Sequence, residues 1–192
     1  MTSAEWPVDL TGVTESVVTT LGPNGKWNVA ALGLHAGDPV TATTFGNTRT
    51  RRNFHRRSEG YVQFTRDPVV FVDAALAIRE EVDPVLDAAD AWVEVTVEQV
   101  AVDESDGTRQ ETWELTPVDA GVDRETVPTI DRGVAAVVEA TVAASRLDVD
   151  AYDAAELRSR LAYFEEVART CGGSREREAF DRLRDLVDAD DW

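Results

Sequence analysis

Residues 49–57 read Arg-Thr-Arg-Arg-Asn-Phe-His-Arg-Arg, five arginines and a histidine in nine positions. Guanidinium groups are planar, always charged, and donate in pairs that match the oxygens of a phosphate. The rest of the chain has the opposite character: 37 acidic residues against 19 basic ones give a formal net charge of −18. Its general field repels anions, and a cluster of arginines reverses that field at one place. Thr48, Thr50 and the Asn53 amide add neutral hydrogen-bonding groups to the same stretch. Two readings follow from the run itself: a phosphate-binding element, or a face of arginines paired with the chain's own carboxylates.

Two segments upstream carry related chemistry. Thr41–Thr50 joins a strand end (Thr44-Phe45) to Gly46, Asn47, Thr48 and Arg49, ahead of the remaining arginines. A strand end feeding the first turn of a helix presents free backbone donors and suits an anion; a threonine-rich edge strand before a capped helix has the same sequence. Asn28-Val29-Ala30-Ala31-Leu32-Gly33 has small side chains for a strand. Alanine and glycine contribute little to sheet packing but allow a flat ligand, or another backbone, to approach closely. Asn28 would then meet the polar edge of that ligand. The alternative is a tightly packed neighbouring strand.

The remaining reactive residues form no constellation. His35 and His55 lie on different elements with no metal-ligand spacing, so no metal site is expected. Cys171 is the single cysteine, which excludes an intrachain disulfide and makes a reducing cytoplasm the default. The acidic residues are too many for any one pair to stand out as general acid and base. No nucleotide-binding glycine loop or serine elbow is present.

These residues need elements to position them. Val13–Leu21 and Lys26–Leu34 flank Gly22-Pro-Asn-Gly25 and predict a hairpin. Val40–Phe45 predicts a third strand and Thr48–Arg57 a helix or a loop entering one. Tyr61–Thr65 is a short strand. Asp67-Pro68 opens either a helix to Ala77, with Phe71, Ala75 and Ile78 inward, or a strand over Val69–Val72. Asp83–Asp90 reads as an acidic linker. Trp92–Val102 alternates, with Val93, Val95 and Val97 on one face, and slips at Gln99 in the manner of a bulge. Asp103–Gly107 reads as a loop before Arg109–Val118, where Trp113 and Leu115 share a side. From Val127 the period becomes helical. Ile130, Val134, Val137, Val138, Thr141 and Val142 mark one helix. Asp153 with Glu156 caps a second, with Leu157, Leu161, Phe164 and Ala168 along it. Gly172-Gly173 ends it, and Ser174 caps a third with Phe180, Leu183 and Val187. The expected organisation is mainly β with α: a β-rich domain over 1–122 and a helical region over 123–192.

Hydrophobic residues make up 43% of the 192, enough for packed cores. Lys26 is the only lysine, and excess Asp and Glu with so little lysine resembles proteins of salt-loving archaea. At about 1 M salt the screening length shrinks to roughly 3 Å, so like surface charges barely repel. The acidity therefore implies no particular partner and argues against nucleic acid. The start, Met-Thr-Ser-Ala-Glu-Trp-Pro, lacks the basic and apolar regions of a secretion signal. No apolar run reaches the ~20 residues that span a bilayer, so no membrane is expected.

Taken in order, Gly12–Thr20, Trp27–Gly33, Phe45–Phe54 and Asp67-Pro68 with Phe71 resemble an uncharacterised archaeal family of the FMN-binding split-barrel, or flavin-reductase-like, superfamily. The resemblance covers roughly residues 10–118, and the helical tail resembles that family's accessory C-terminal region. It implies a six-stranded antiparallel split barrel that forms a homodimer with FMN at the interface. Thr48, Thr50 and Asn53, with Arg49, would contact the phosphate. Asn28, Ala30 and Ala31 would lie along the isoalloxazine ring, with Thr44 and Phe45 completing the cofactor set. Gln63 departs from the family's asparagine. The implied function is an FMN-binding flavoprotein, an oxidoreductase or flavin reductase with a nicotinamide or other electron donor. The alternatives are a flavin carrier or sensor without turnover, and an arginine-rich interaction module.

Overall fold

The computed structural model describes residues 4–105, 107–187 and 192. Valine and threonine favour the pleated backbone of β1 (Val13–Leu21), which pairs antiparallel along its whole length with β2 (Trp27–His35). The turn between them closes with Gly22 donating to the Lys26 carbonyl at 2.8 Å and Gly25 at φ 75°. Then follow β3 (Val40–Phe45), α1 (Arg49–Arg57), β4 (Glu59–Phe64), α2 (Pro68–Leu76) and the short β5 (Arg79–Glu81). Two long strands, β6 (Ala91–Ser105) and β7 (Thr108–Val122), precede α3 (Arg132–Ala144), α4 (Ala154–Cys171) and α5 (Ser174–Leu186).

The strands run in the order β1-β4-β6-β7-β3-β2, and the β1–β2 pairing closes the circle. This is a closed six-stranded antiparallel barrel followed by C-terminal helices, the split-barrel architecture expected. β5 lies outside it, paired to β2 at Trp27–Val29. The slip at Gln99 is a bulge: Gln99 faces Trp113 and Ala101 faces Thr112, leaving Val100 between. A second irregularity lets Glu94 face Asp119 while Val95 faces Pro117.

Val93, Val95 and Val97 do share a face, and it fills the barrel core with Val18, Leu32, Leu34, Trp113 and Leu115. The valines of β6 that are exposed are Val100 and Val102. Several expectations need correction. Pairing continues through most of the expected loop at 103–107, with Ser105 opposite Thr108; Asp106 lies outside the described residues. Residues 83–90 are a fitted loop and not a free linker. Gln63 donates to the Pro84 carbonyl and accepts from the Leu86 amide, and Leu86 and Ala89 are buried.

The chain divides into two compact units, one up to Thr65 with Arg79–Glu125 and one of Arg66–Ile78 with the residues from Thr126 onward. The segment 66–78, inside the expected 1–122 stretch, thus packs with the helices, where Val72 joins Val137, Leu161, Phe180 and Leu183. α2 is a helix, not a strand. Phe71 is buried on it, Ala75 is half-buried, and Ile78 lies beyond its end, exposed. α3 buries Gly133, Ala136, Val137, Ala140, Thr141, Ala143 and Ala144, while Val134, Val138 and Val142 are only half-buried and Ile130 is exposed. Close approach selects the small residues: a Cβ on Gly133 would sit 2.6 Å from the Gly172 Cα. The cap of α5 is Gly173, whose amide donates to Glu176 at 2.6 Å; Ser174 is the first helical residue.

Candidate functional site

α1 is a single short helix, and four devices pin it. Thr48 caps its start by accepting from the Arg51 amide at 3.2 Å. Ser58, at φ 54°, ends it with its amide on the Phe54 carbonyl. Phe54 is fully buried in the barrel core, and burial of such a side chain contributes roughly 1.5–3 kcal/mol. Asn53 is buried too; its amide donates to the Thr20 hydroxyl at 3.0 Å and its oxygen accepts from Arg56 at 2.9 Å.

The two flanks of α1 carry its ion pairs. On one, Glu111 of β7 is completely buried and meets two arginines and a histidine. Arg51 Nε lies 2.7 Å away, His55 Nε2 2.6 Å, and Arg109 donates at 2.6 Å. Burial pushes the Glu111 carboxyl up, but hydrogen bonds from Arg109 and His55 and the charge of Arg51 outweigh it and hold the pKa at about 2. The His55 ring meets Trp113 edge-on at 4.9 Å, and Trp113 donates to Thr44 at 3.0 Å. On the other flank, Arg49 donates to Glu80 of β5 at 3.1 Å, and Glu80 also accepts from Asn24. Arg52 donates to the carbonyl and side chain of Asn47. Among the described residues, Arg52, Arg56 and Arg57 form no ion pair, so the island keeps a positive surplus. The reading of arginines paired with the chain's own carboxylates is met at Arg49 and Arg51.

The expected site residues distribute as follows. Glu80 stands opposite Asn28 in the β2–β5 register, so Asn28, Glu80 and Arg49 come together. Asn53 reaches Thr20, itself opposite Asn28. Thr48, Arg49 and Phe45 are exposed; Thr50 and Asn53 are buried beneath them. Thr44 is buried, its hydroxyl held by Trp113. Strand alternation separates Ala30, which packs toward the barrel core with Leu32, from Ala31 on the opposite face. What these residues share is an edge. β2 pairs with β5 at Trp27–Val29 and with β3 at Leu34 and His35, while Ala30–Gly33 pairs with β1 alone among the described residues. Gln63 is engaged by Thr19 and the 83–90 loop.

Sequence reasoning misses Glu111 and Glu80. Glu111 has a signal, since it falls in phase with Trp113 and Leu115, a carboxylate in an alternating inward row. Glu80 sits in a three-residue strand, Arg-Glu-Glu, with no apolar pattern.

The architecture has known counterparts. An FMN-bound protein from Methanosarcina mazei shares it with TM-score 0.77 and 23% identity, over 92% of this chain and 95% of that one. The flavin reductase of styrene monooxygenase from Pseudomonas putida overlaps less, with TM-score 0.41 and 12% identity over 61% of this chain and 93% of that one. An FMN-binding protein from Thermus thermophilus with bound p-hydroxybenzaldehyde gives TM-score 0.41 and 14% identity, over 64% and 81%. A family described as protein of unknown function (DUF447), N-terminal domain, matches residues 14–124, and its companion described as protein of unknown function (DUF447) matches 131–185. The first match spans more than half of the sequence, and the chain belongs to the DUF447 family.

Proposed function

We propose that this protein binds FMN, with the phosphate at the start of α1 and the flavin ring along the unpaired β2 edge at Ala30–Gly33. The observation that carries the reading is the start of α1. It holds Arg49, Arg51 and Arg52 in its first turn with no acidic residue, in a chain of net charge −18. Positive charge at a helix N-terminus opposes the macrodipole, typically by 0.3–1 kcal/mol for each charge at an exposed site. A bound dianion reverses that conflict.

The donor set fits such a group. The Thr48 hydroxyl, Arg49 and Arg52 are exposed around the head of the helix, where the first amides lack partners within it. Asn53, Thr44 and Thr50 are buried, and Asn53 fixes the helix through Thr20. Ala30, Ala31 and Gly33 leave room beside the open strand edge, with Asn28 at its end. The M. mazei relative, described as FMN-bound, supports the choice of ligand.

Bound flavin supplies electron transfer in one- and two-electron steps; the chain supplies position, charge and an open strand edge. A flavin-dependent oxidoreductase with a nicotinamide or other donor is the reading adopted. Pairing of two protomers would cover the β2 edge together with exposed Phe45 and Val82, so a homodimer is part of the proposal, as are a reducing cytoplasm and a salt-rich one.

Reconstitution with FMN in molar salt should give a yellow protein with altered flavin fluorescence. Anaerobic bleaching by NADH or NADPH then establishes the reductase. Binding without bleaching by any donor identifies a carrier, and no binding of FMN refutes the proposal.

A further inference from the structure

We propose that Glu80 is an internal competitor for Arg49, and that it makes the flavin an exchangeable ligand and not a permanently held group. The inference rests on the phosphate reading above and adds how long the phosphate stays.

Glu80 is placed by the fold for this contact. β5 has three residues, and its register sets Glu80 opposite Asn28, next to the head of α1. The carboxylate takes Arg49 at 3.1 Å while Asn24 donates to both of its oxygens at 3.1 and 3.2 Å. It therefore stays fixed when Arg49 leaves, and it is there when Arg49 returns. Nothing in β5 needs the pair, because backbone pairing to Trp27–Val29 holds the strand.

The two ion pairs that flank α1 are unequal in the way this role requires. Glu111 is fully buried with three side-chain partners, two of them arginines, and removing one partner from such a group is costly. The Arg49–Glu80 side chains are 42% and 29% exposed. Exposed pairs of this kind shift an equilibrium by no more than about fivefold. A phosphate dianion outbids that contact, but only by breaking it. The chain thus gives up part of the affinity that Arg49 would supply. As the phosphate departs, Glu80 recaptures the guanidinium, which lowers the barrier to release. A carboxylate beside an anion site weakens binding by repulsion as well. The combination suits a flavin that enters oxidised and leaves reduced, or that is handed to another protein.

The test is a double-mutant cycle on the full chain with Glu80→Gln, Arg49→Ala and both together. FMN and riboflavin affinities come from fluorescence titration in molar salt, and release rates from stopped-flow displacement. Glu80→Gln should tighten FMN by about two- to fivefold and slow its release to a similar degree. Riboflavin, without phosphate, should gain nothing. In the Arg49→Ala background the gain should shrink by half or more. Wild-type protein that prefers FMN over riboflavin, with Glu80→Gln changing neither affinity nor release, overturns the competitor and leaves the phosphate site standing. A gain undiminished by Arg49→Ala also overturns it, because the effect is then repulsion alone. Equal wild-type affinities for FMN and riboflavin remove the phosphate site and the competitor with it.

Discussion

Among the described residues, four of the five helices open on a carboxylate, and one does not. Asp67 caps α2 through the amides of Val69 and Val70. Asp131 caps α3, Asp153 caps α4 with Glu156 in its first turn, and Glu176 closes over the Gly173 amide at the head of α5. Each satisfies orphan amides and meets the positive end of the helix with negative charge. α1 opens on Thr48, a neutral cap, and follows it with Arg49, Arg51 and Arg52 and no acidic residue. With 37 acidic residues in the chain, this is no shortage of carboxylates. A helix that breaks a rule kept by its four companions marks the place where local stability has been exchanged for something else. In the proposed function that something is binding of an anion.

The comparison breaks most sharply at Glu111, which holds the basic helix in place. Glu111→Gln leaves Arg51, His55 and Arg109 without their anion and should cost about 3 kcal/mol, read as a lower melting temperature in molar salt. It should also change the response to acid. The Glu111 carboxyl lies at about 2 in the folded protein against an ordinary value of 4.5. Its contribution is therefore complete above pH 4.5 and lost as the pH falls toward 2. Glu165 behaves alike: hydrogen bonds from Arg184, opposed by burial and joined by Arg169 and Trp192, hold it at about 2. Glu111→Gln should flatten the acid-induced loss of stability over that range only in part. An unchanged acid profile would refute the buried pairing.

Thr48→Asp makes α1 like the other four. It should raise stability by about 0.5 kcal/mol through the dipole. The same change should weaken FMN by about tenfold, because a fixed carboxylate then sits at the proposed phosphate position. Thermal melts and flavin titration on one preparation check both signs. Loss of stability together with tighter FMN would reverse the reading of α1. Asp153→Ala, the matching change on an ordinary helix, should cost about 1 kcal/mol and leave FMN affinity unaltered.

Much of the barrel is legible in the residues alone. β1, β2, β3 and β7 follow from alternation and from turn glycines, and the bulge at Gln99 follows from a slip in phase. The parts that are not legible have physical reasons. The buried face of α3 is made of alanines and a glycine, because the Gly133–Gly172 approach excludes larger groups, so the valines beside them give the stronger but wrong signal. Ile78 and Ile130 look like core residues and lie exposed, since each falls beyond the end of its helix. In the candidate site, the arginines are visible and their partners are not. Glu80 and Glu111 are single carboxylates among 37, and only pairing register brings them to α1. Asn53 stands out as a ligand by type, but its amide holds Thr20.

The central claim is that the head of α1 recognises a phosphate carried by a flavin. Titration of the apo-protein with FMN and with riboflavin, side by side in molar salt, tests it directly. Charge-assisted hydrogen bonds contribute roughly 1.5–3 kcal/mol each, so FMN should bind at least about tenfold more tightly than riboflavin. Equal affinities for the two flavins would contradict the account.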